Sequence, residues 1–229
     1  MPQYGVESYW DNRYGNDFPE PFDWLFSYKD LKFLLSLMIK KSDRILIIGC
    51  GNADLSIDMY NDGYQNQVNM DYCEVVINQQ RERHPHLDWQ VSDVRSMPEY
   101  GDNAFDVVLD KSLIDTMMCY DDAAAAVGAM AREATRVLRP GGRYLGLSLH
   151  RPRSGLAHLR QDHLHLEMHY GYLLNPKYDA DKHKNRAVKE ERSGQSVAKL
   201  LAEADVGALE ASLARALAHY AQEQGWEVD

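Results

Sequence analysis

The sequence predicts a doubly wound, mostly parallel α/β fold, with helices before it and a divergent helical region after it. Two observations carry that prediction. In Arg44-Ile-Leu-Ile-Ile-Gly-Cys-Gly51 an apolar run, Ile45 to Ile48, leads straight into Gly49-x-Gly51, and an amphipathic segment follows. An unbroken apolar run bounded by turn residues reads as a strand buried on both faces, as in parallel sheets. Glycines at its carboxyl end let the backbone turn sharply and approach a ligand. The second observation is alternation: short apolar runs and helical patterns succeed one another as far as Leu149. That order builds a parallel sheet covered on both faces, with ligands at the carboxyl ends of its strands.

The elements follow in order. Residues 7–15 predict a short helix and 28–40 a longer one, with Leu31, Leu34, Leu35, Met38 and Ile39 on one face. The first strand is 44–48, with a helix from 53 to 60. The second strand, 67–71, is followed by a helix over 73–83 that Pro85 closes, since proline cannot continue the hydrogen-bond ladder. Strands at 87–91 and 105–110 come next. A helix spans 121–139, stopped by Pro140-Gly141-Gly142, and 143–149 is a fifth strand. Beyond 150, residues 163–170 alternate with period two and predict a half-exposed strand. The charged stretch 177–192 predicts a loop or hairpin, and the alanine- and leucine-rich 196–224 a helix. The expected organisation is a ligand-binding core over 1–150 and a divergent C-terminal region over 151–229.

Composition bounds the function. A chain of 229 residues suits one domain with a substantial core. With 25 basic and 35 acidic residues, net −10, it lacks the clustered positive charge of sequence-independent nucleic-acid binding and would suit a basic partner. The three cysteines, Cys50, Cys73 and Cys119, have neither metal-ligand spacing nor disulfide density, which fits a reducing, cytoplasmic setting. No targeting signal and no run of membrane-spanning length is expected. His163, His165 and His169 share one strand face, a spacing that could ligate a metal. A solvated face is the preferred reading, because no cysteine or second cluster accompanies them.

The cofactor is argued from charge. A dinucleotide fingerprint has a third glycine where this chain has Asp54, and a carboxylate there repels a pyrophosphate at the helix start. Asp71, about twenty residues after Gly49, ends the second strand, where an acid accepts hydrogen bonds from a ribose diol. Asp93 follows the third strand. Carboxylates gathered at strand ends disfavour a polyanion. They favour S-adenosylmethionine (SAM), which carries an ammonium, a sulfonium and an adenine amino group.

The set Tyr9-Trp-Asp-Asn-Arg-Tyr14, Phe22-Asp-Trp24, Ile45-Leu-Ile-Ile-Gly-Cys-Gly-Asn52, Asp71-Tyr72, Asp93-Val-Arg95, Phe105-Asp-Val-Val-Leu-Asp-Lys111 and Val137-Leu-Arg-Pro-Gly-Gly142 closely resembles one family. It is the class I, seven-strand SAM-dependent methyltransferases of the methyltransferase-like 13 group, which methylate lysines of the aminoacyl-tRNA-delivering elongation factor (elongation factor 1-alpha). The resemblance covers about residues 7–150, and the Tyr-Trp-Asp-x-Arg-Tyr opening with its later Phe-Asp-Trp is the specific part. It implies a Rossmann-like methyltransferase core and a set of cofactor contacts. Trp10, Tyr14 and Trp24 match aromatics that cover SAM. Gly49 and Gly51 match the glycine turn, Asp71 and Tyr72 the ribose-binding pair, and Asp93 and Val94 the adenine-binding pair. Lys111 matches the position after strand four beside the methyl donor.

Each position has a simpler reading. Trp10 and Tyr14, four apart on one helix face, could be core packing. Asp71 could be a helix N-cap. Lys111 could only pair with Asp110 or Asp115. No catalytic base is named, because methyl transfer needs positioning and a free lone pair. The resemblance weakens after 150: relatives begin strand six near a Gly-Trp-x-Val, and here Gly225-Trp-Glu-Val228 ends the chain. Either 151–224 is an insertion and strand seven is missing, or 163–174 supplies a late strand. The first functional reading is methylation of a protein lysine, on the elongation factor. A small-molecule methyltransferase and a non-catalytic SAM-binding protein are the alternatives.

Overall fold

The computed structural model describes residues 3–17, 20–149 and 159. The strand and helix expected after 150, the three histidines and the Gly-Trp-x-Val lie outside the described residues. By contact density the chain divides into Met1–Lys32 with Met38–Leu166, and Phe33–Leu37 with Glu167–Asp229. The sheet and the candidate site belong to the first unit. Of the second, only Phe33–Leu37, a stretch within one helix, is described.

Among the described residues five strands form the sheet: β1 Ile45–Ile48, β2 Gln67–Asp71, β3 Asp88–Val91, β4 Phe105–Lys111 and β5 Leu138–Leu147. Their order is β3-β2-β1-β4-β5 and every pairing is parallel. The apolar run of β1 is buried along its whole length because it is central, pairing Ile45 with Gln67 on one side and with Val107 on the other. The chain winds outward from β1 to β3 and then returns to place β4 on the opposite side of β1. The carboxyl ends of β1 and β4 therefore flank a topological switch point, where such sheets open a crevice.

Among the described residues the helices are α1 Glu7–Asn12, α2 Tyr28–Met38, α3 Leu55–Asn61, α4 Glu74–Arg83, α5 Leu113–Met117 and α6 Ala123–Val137. The single helix expected over 7–15 is instead α1 followed by a π-helical turn over Arg13–Asp17. Such widening is often found at functional sites. Here it carries Tyr14, whose carbonyl accepts from Gln79 Nε2 at 2.9 Å. Helix α2 begins with a capping arrangement: Asp30 accepts from the Ser27 amide (2.9 Å) and hydroxyl (2.6 Å). The Asp62 carboxylate gathers Tyr28 Oη (2.6 Å), Lys32 Nζ (2.8 Å) and Lys41 Nζ (2.7 Å), joining the start of α2 to the end of α3. Those donors, Lys32 foremost, hold its pKa below the ordinary carboxylate range.

The sequence reading differs from the structure again around residue 138. Helix α6, capped by Asp122 accepting from the Ala125 amide at 3.0 Å, ends at Val137 before the proline is reached. Leu138 is already extended and pairs with Phe105. The Pro140-Gly141-Gly142 stretch then bulges out, and pairing resumes at Val107 with Arg143. Gly141 takes a φ of +76°, open to glycine without strain. Helix α5 was not expected: its five residues are too few for a periodic pattern to be visible.

Leu46 is completely buried in the central strand. Leu46→Ala should lower stability by about 2–5 kcal/mol, through lost burial and a residual cavity. Val91→Ala, on the exposed face of edge strand β3, should change it by under about 0.5 kcal/mol. Urea denaturation monitored by circular dichroism checks both.

Candidate active site

A cavity of about 210 Å³ opens at the carboxyl ends of the central strands. One wall is the turn after β1. Gly49 and Gly51 have φ of +60° and +55°, and neither tolerates a side chain. A Cβ on Gly49 would lie 2.9 Å from Leu113 Cδ1, and one on Gly51 would lie 2.8 Å from Tyr14 Oη. The glycines are thus required by backbone conformation and by close approach, not by flexibility.

Asp71, at the end of β2, fastens this turn. One carboxylate oxygen accepts from the Gly51 amide at 3.0 Å and the other from the Cys73 amide at 3.0 Å. It is therefore not the simple N-cap of α4: Cys73 holds that position, without a side-chain capping bond. Burial raises the Asp71 pKa to about 6, against the opposing pull of backbone donors from Cys73, Gly51 and Tyr72. Tyr72 lines the cavity beside it.

The other wall is aromatic. Trp10 and Tyr14 are buried, with stacked rings 5.7 Å apart at 25°. Trp10 donates Nε1–H to the Tyr4 carbonyl at 2.8 Å. Trp24 packs edge-on to Trp10 (6.0 Å) and Tyr4 (5.6 Å), and it is 36% exposed at the rim. The Arg13 guanidinium lies over Trp24 at 4.7 Å and over Phe22 at 5.3 Å. All three predicted aromatics line the cavity.

Lys111, on the last residue of β4, also lines it, but its partner is neither acid expected from the sequence. Its Nζ pairs with Asp23 at 2.8 Å, and both side chains are largely buried. Asp110 points away from the cavity. Its fully buried carboxylate accepts from the amides of Leu113 (2.7 Å) and Ile114 (3.1 Å) and from Tyr144 Oη (2.5 Å). Burial pushes its pKa up to about 7, although those donors oppose the shift. Asp110 therefore anchors the start of α5 and does not line the cavity. Asp115 does line the cavity, and accepts from Ser148 Oγ (2.5 Å) and the Leu149 amide (3.1 Å).

Asp93 and Val94 are not brought to this cavity. Asp93 lies beyond the end of β3, and its carboxylate is forked to Arg95, with Nη2 at 2.6 Å and Nε at 3.0 Å. Burial works to raise its pKa, but hydrogen bonds from the Arg95 side chain and amide outweigh it and the net shift is downward. Val94 is buried.

Sequence reasoning passed over two residues that line the cavity, Asn52 and Ser112, and one that holds a lining residue, Asp23. Asn52, directly after the glycine turn, donates Nδ2–H to the Glu20 carbonyl at 2.7 Å. Asp23, the middle residue of Phe22-Asp-Trp24, holds Lys111. Ser112 turns β4 into α5 with a φ of +75°, which is strained for a residue with a Cβ. The motif around Asp23 was visible in the sequence, whereas nothing local marked Ser112.

SAM fits this set of groups. Asp71 beside a glycine turn provides acceptors for a ribose diol and brings negative charge close to a cationic ligand. The stacked aromatics offer π faces to a sulfonium. Among the described residues no group of three or more His, Cys, Asp or Glu side chains could hold a metal ion, and no helix is long and apolar enough to cross a membrane.

Residues 46–146 match the family model described as a methyltransferase domain. The EEF1A lysine methyltransferase 4 of Bos taurus is 32% identical over 183 residues, covering 75% of this chain and 69% of that protein. The eEF1A lysine and N-terminal methyltransferase of Mus musculus is 37% identical over 153 residues, 64% of this chain. The chain spans only 22% of the length of that longer relative. The solved structure of the PH0226 protein from Pyrococcus horikoshii OT3 aligns over 51% of this chain and 54% of its own, at 25% identity and a TM-score of 0.45. With a relative above 30% identity spanned over more than two thirds of its length, the chain belongs to the class I SAM-dependent methyltransferases, in the group of the eEF1A lysine methyltransferases.

Proposed function

We propose that this chain transfers a methyl group from SAM to a lysine side chain of a protein, and that the acceptor is elongation factor 1-alpha. The observation that carries the reading is a convergence: the glycine turn, the strand-end acid Asp71 and the stacked Trp10–Tyr14 pair meet in one cavity. The chain around that cavity matches relatives named for methylating this factor.

Each group has a task in this reading. Bound SAM supplies an electrophilic methyl on its sulfonium. Asp71 and Tyr72 orient the ribose, and Gly49 and Gly51 allow the backbone to approach it. Trp10, Tyr14 and Trp24 cover the cofactor and exclude water. Asp93 and Val94 belong to the adenine end; for Asp93 to serve there, its fork with Arg95 must share the carboxylate with the ligand. The acceptor amine must be neutral to attack. From a reference pKa of about 10.4, that costs roughly 4–5 kcal/mol at pH 7. Burial beside a sulfonium lowers the pKa and reduces the cost. Asp115, which lines the cavity, orients the amine in this reading. We assign the core to 1–150, acceptor selection to 151–229, and a cytoplasmic setting consistent with the free thiols of Cys50, Cys73 and Cys119.

The Asp71 titration gives a pH signature. Its folded pKa is raised, so its contribution to stability is fully present below about pH 4 and is lost as pH rises through about 6. The charged form is the better acceptor for a diol, so SAM affinity should move the opposite way and strengthen between pH 5 and 7.5. Calorimetry should show this rise in wild type and a flat, weaker profile in Asp71→Asn. Loss of charge-assisted bonds should weaken binding at pH 7.5 by about 2–3 kcal/mol.

The acceptor is tested by incubating the protein with SAM and the purified elongation factor. Mass spectrometry should find methyl-lysine on the factor. A net charge of −10 steers a basic partner by long-range attraction, so turnover should fall between low salt and about 0.5 M. A factor left unmethylated would remove the acceptor assignment and leave cofactor binding standing.

A further inference from the structure

Residues 20–25 run along the cavity wall with no helix or strand of their own. Two side chains tie this strap down, one from each flank of the switch point. Asn52, from the turn after β1, holds the Glu20 carbonyl at 2.7 Å. Lys111, from the end of β4, holds Asp23 at 2.8 Å. Phe22, Trp24 and Leu25 face the cavity between and beyond these ties.

With the strap down, the cavity measures about 210 Å³. Sites that take up a whole small-molecule ligand generally measure about 300–1,000 Å³. Phe22, Trp24 and Leu25 of the strap are part of the lining, so room for a whole ligand the size of SAM requires the strap to move outward. The charges around Asp23 make Lys111 the decisive tie. Burial raises the pKa of Asp54 and of Asp58, and the nearby charge of Asp23 adds to both shifts, so the three acids repel one another. Without the ammonium of Lys111, Asp23 would lose its counter-ion 2.8 Å away and keep its like-charged neighbours.

We propose that Lys111 is a positioning residue whose pairing with Asp23 latches the 20–25 strap over the cavity and so sets the rate of cofactor exchange. It acts through Asp23 rather than on the methyl donor. The inference rests on the assignment of this cavity to SAM, but the latch is measurable without cofactor.

The test uses the full chain as wild type, Lys111→Met, Asp23→Asn and the double variant, with circular dichroism confirming that each is folded. Hydrogen exchange of the cofactor-free proteins reads the protection of the amides of residues 20 and 22–26. Each single variant should lose protection by about tenfold or more, and the double variant should lose no more than either single one. Stopped-flow fluorescence should show S-adenosylhomocysteine leaving faster from all three variants by a similar factor. Unchanged protection in both single variants overturns the latch. So does additive loss in the double variant, or faster ligand release from Lys111→Met alone, which would place Lys111 on the ligand itself. If protection falls as expected while no variant and no wild-type protein binds SAM, the latch stands and the cofactor assignment fails.

Discussion

The carboxylate of Asp71 joins three parts of the molecule that sequence keeps apart. It sits at the end of β2 and accepts from Gly51 after β1 and from Cys73 at the head of α4. A parallel sheet delivers the ends of its central strands to one edge, and the turns that leave them must be held in a shape a ligand can use. One buried acid does that here at the cost of its own desolvation, seen in a pKa raised to about 6. The same charge that shapes the turn also lines the cavity, so folding and the proposed cofactor binding draw on one group with opposite pH trends.

The aromatic wall depends on that geometry. Tyr14 can stack on Trp10 and reach the turn only because Gly51 has no Cβ, and Gly51 keeps its positive φ under the hold of Asp71. Core packing alone would explain buried Trp10 and Tyr14. It would not explain a partly exposed Trp24 or a guanidinium stacked on Trp24 and Phe22 at the rim. A π surface that already holds a cation is suited to a sulfonium, at about 0.5–2 kcal/mol per contact.

The acids at the ends of neighbouring strands illustrate how environment divides similar residues. Asp71 keeps its backbone donors and still faces the cavity. Asp110, in a comparable place on β4, is spent on the amides of Leu113 and Ile114 and on Tyr144. Asp93 is forked to Arg95. All three look alike along the chain. Which of them can serve a ligand follows from the donors the fold brings to each.

The sequence by itself determined the sheet, the glycine turn and the cofactor class. Apolar runs, glycines and strand-end acids are local signals, and the resemblance lay in short motifs. It could not show α5, whose five residues carry no period, nor the strand that takes over at Leu138 before Pro140 is reached. Its resemblance put Lys111 at the site, and its simpler reading, a pairing with Asp110 or Asp115, could name only neighbours in the chain. Only tertiary structure set Asp23 against Lys111 and turned Asp110 inward. A strand fixes which residues reach the edge of a sheet. What each side chain meets there is decided by segments far away in sequence, folded over that edge from outside the sheet.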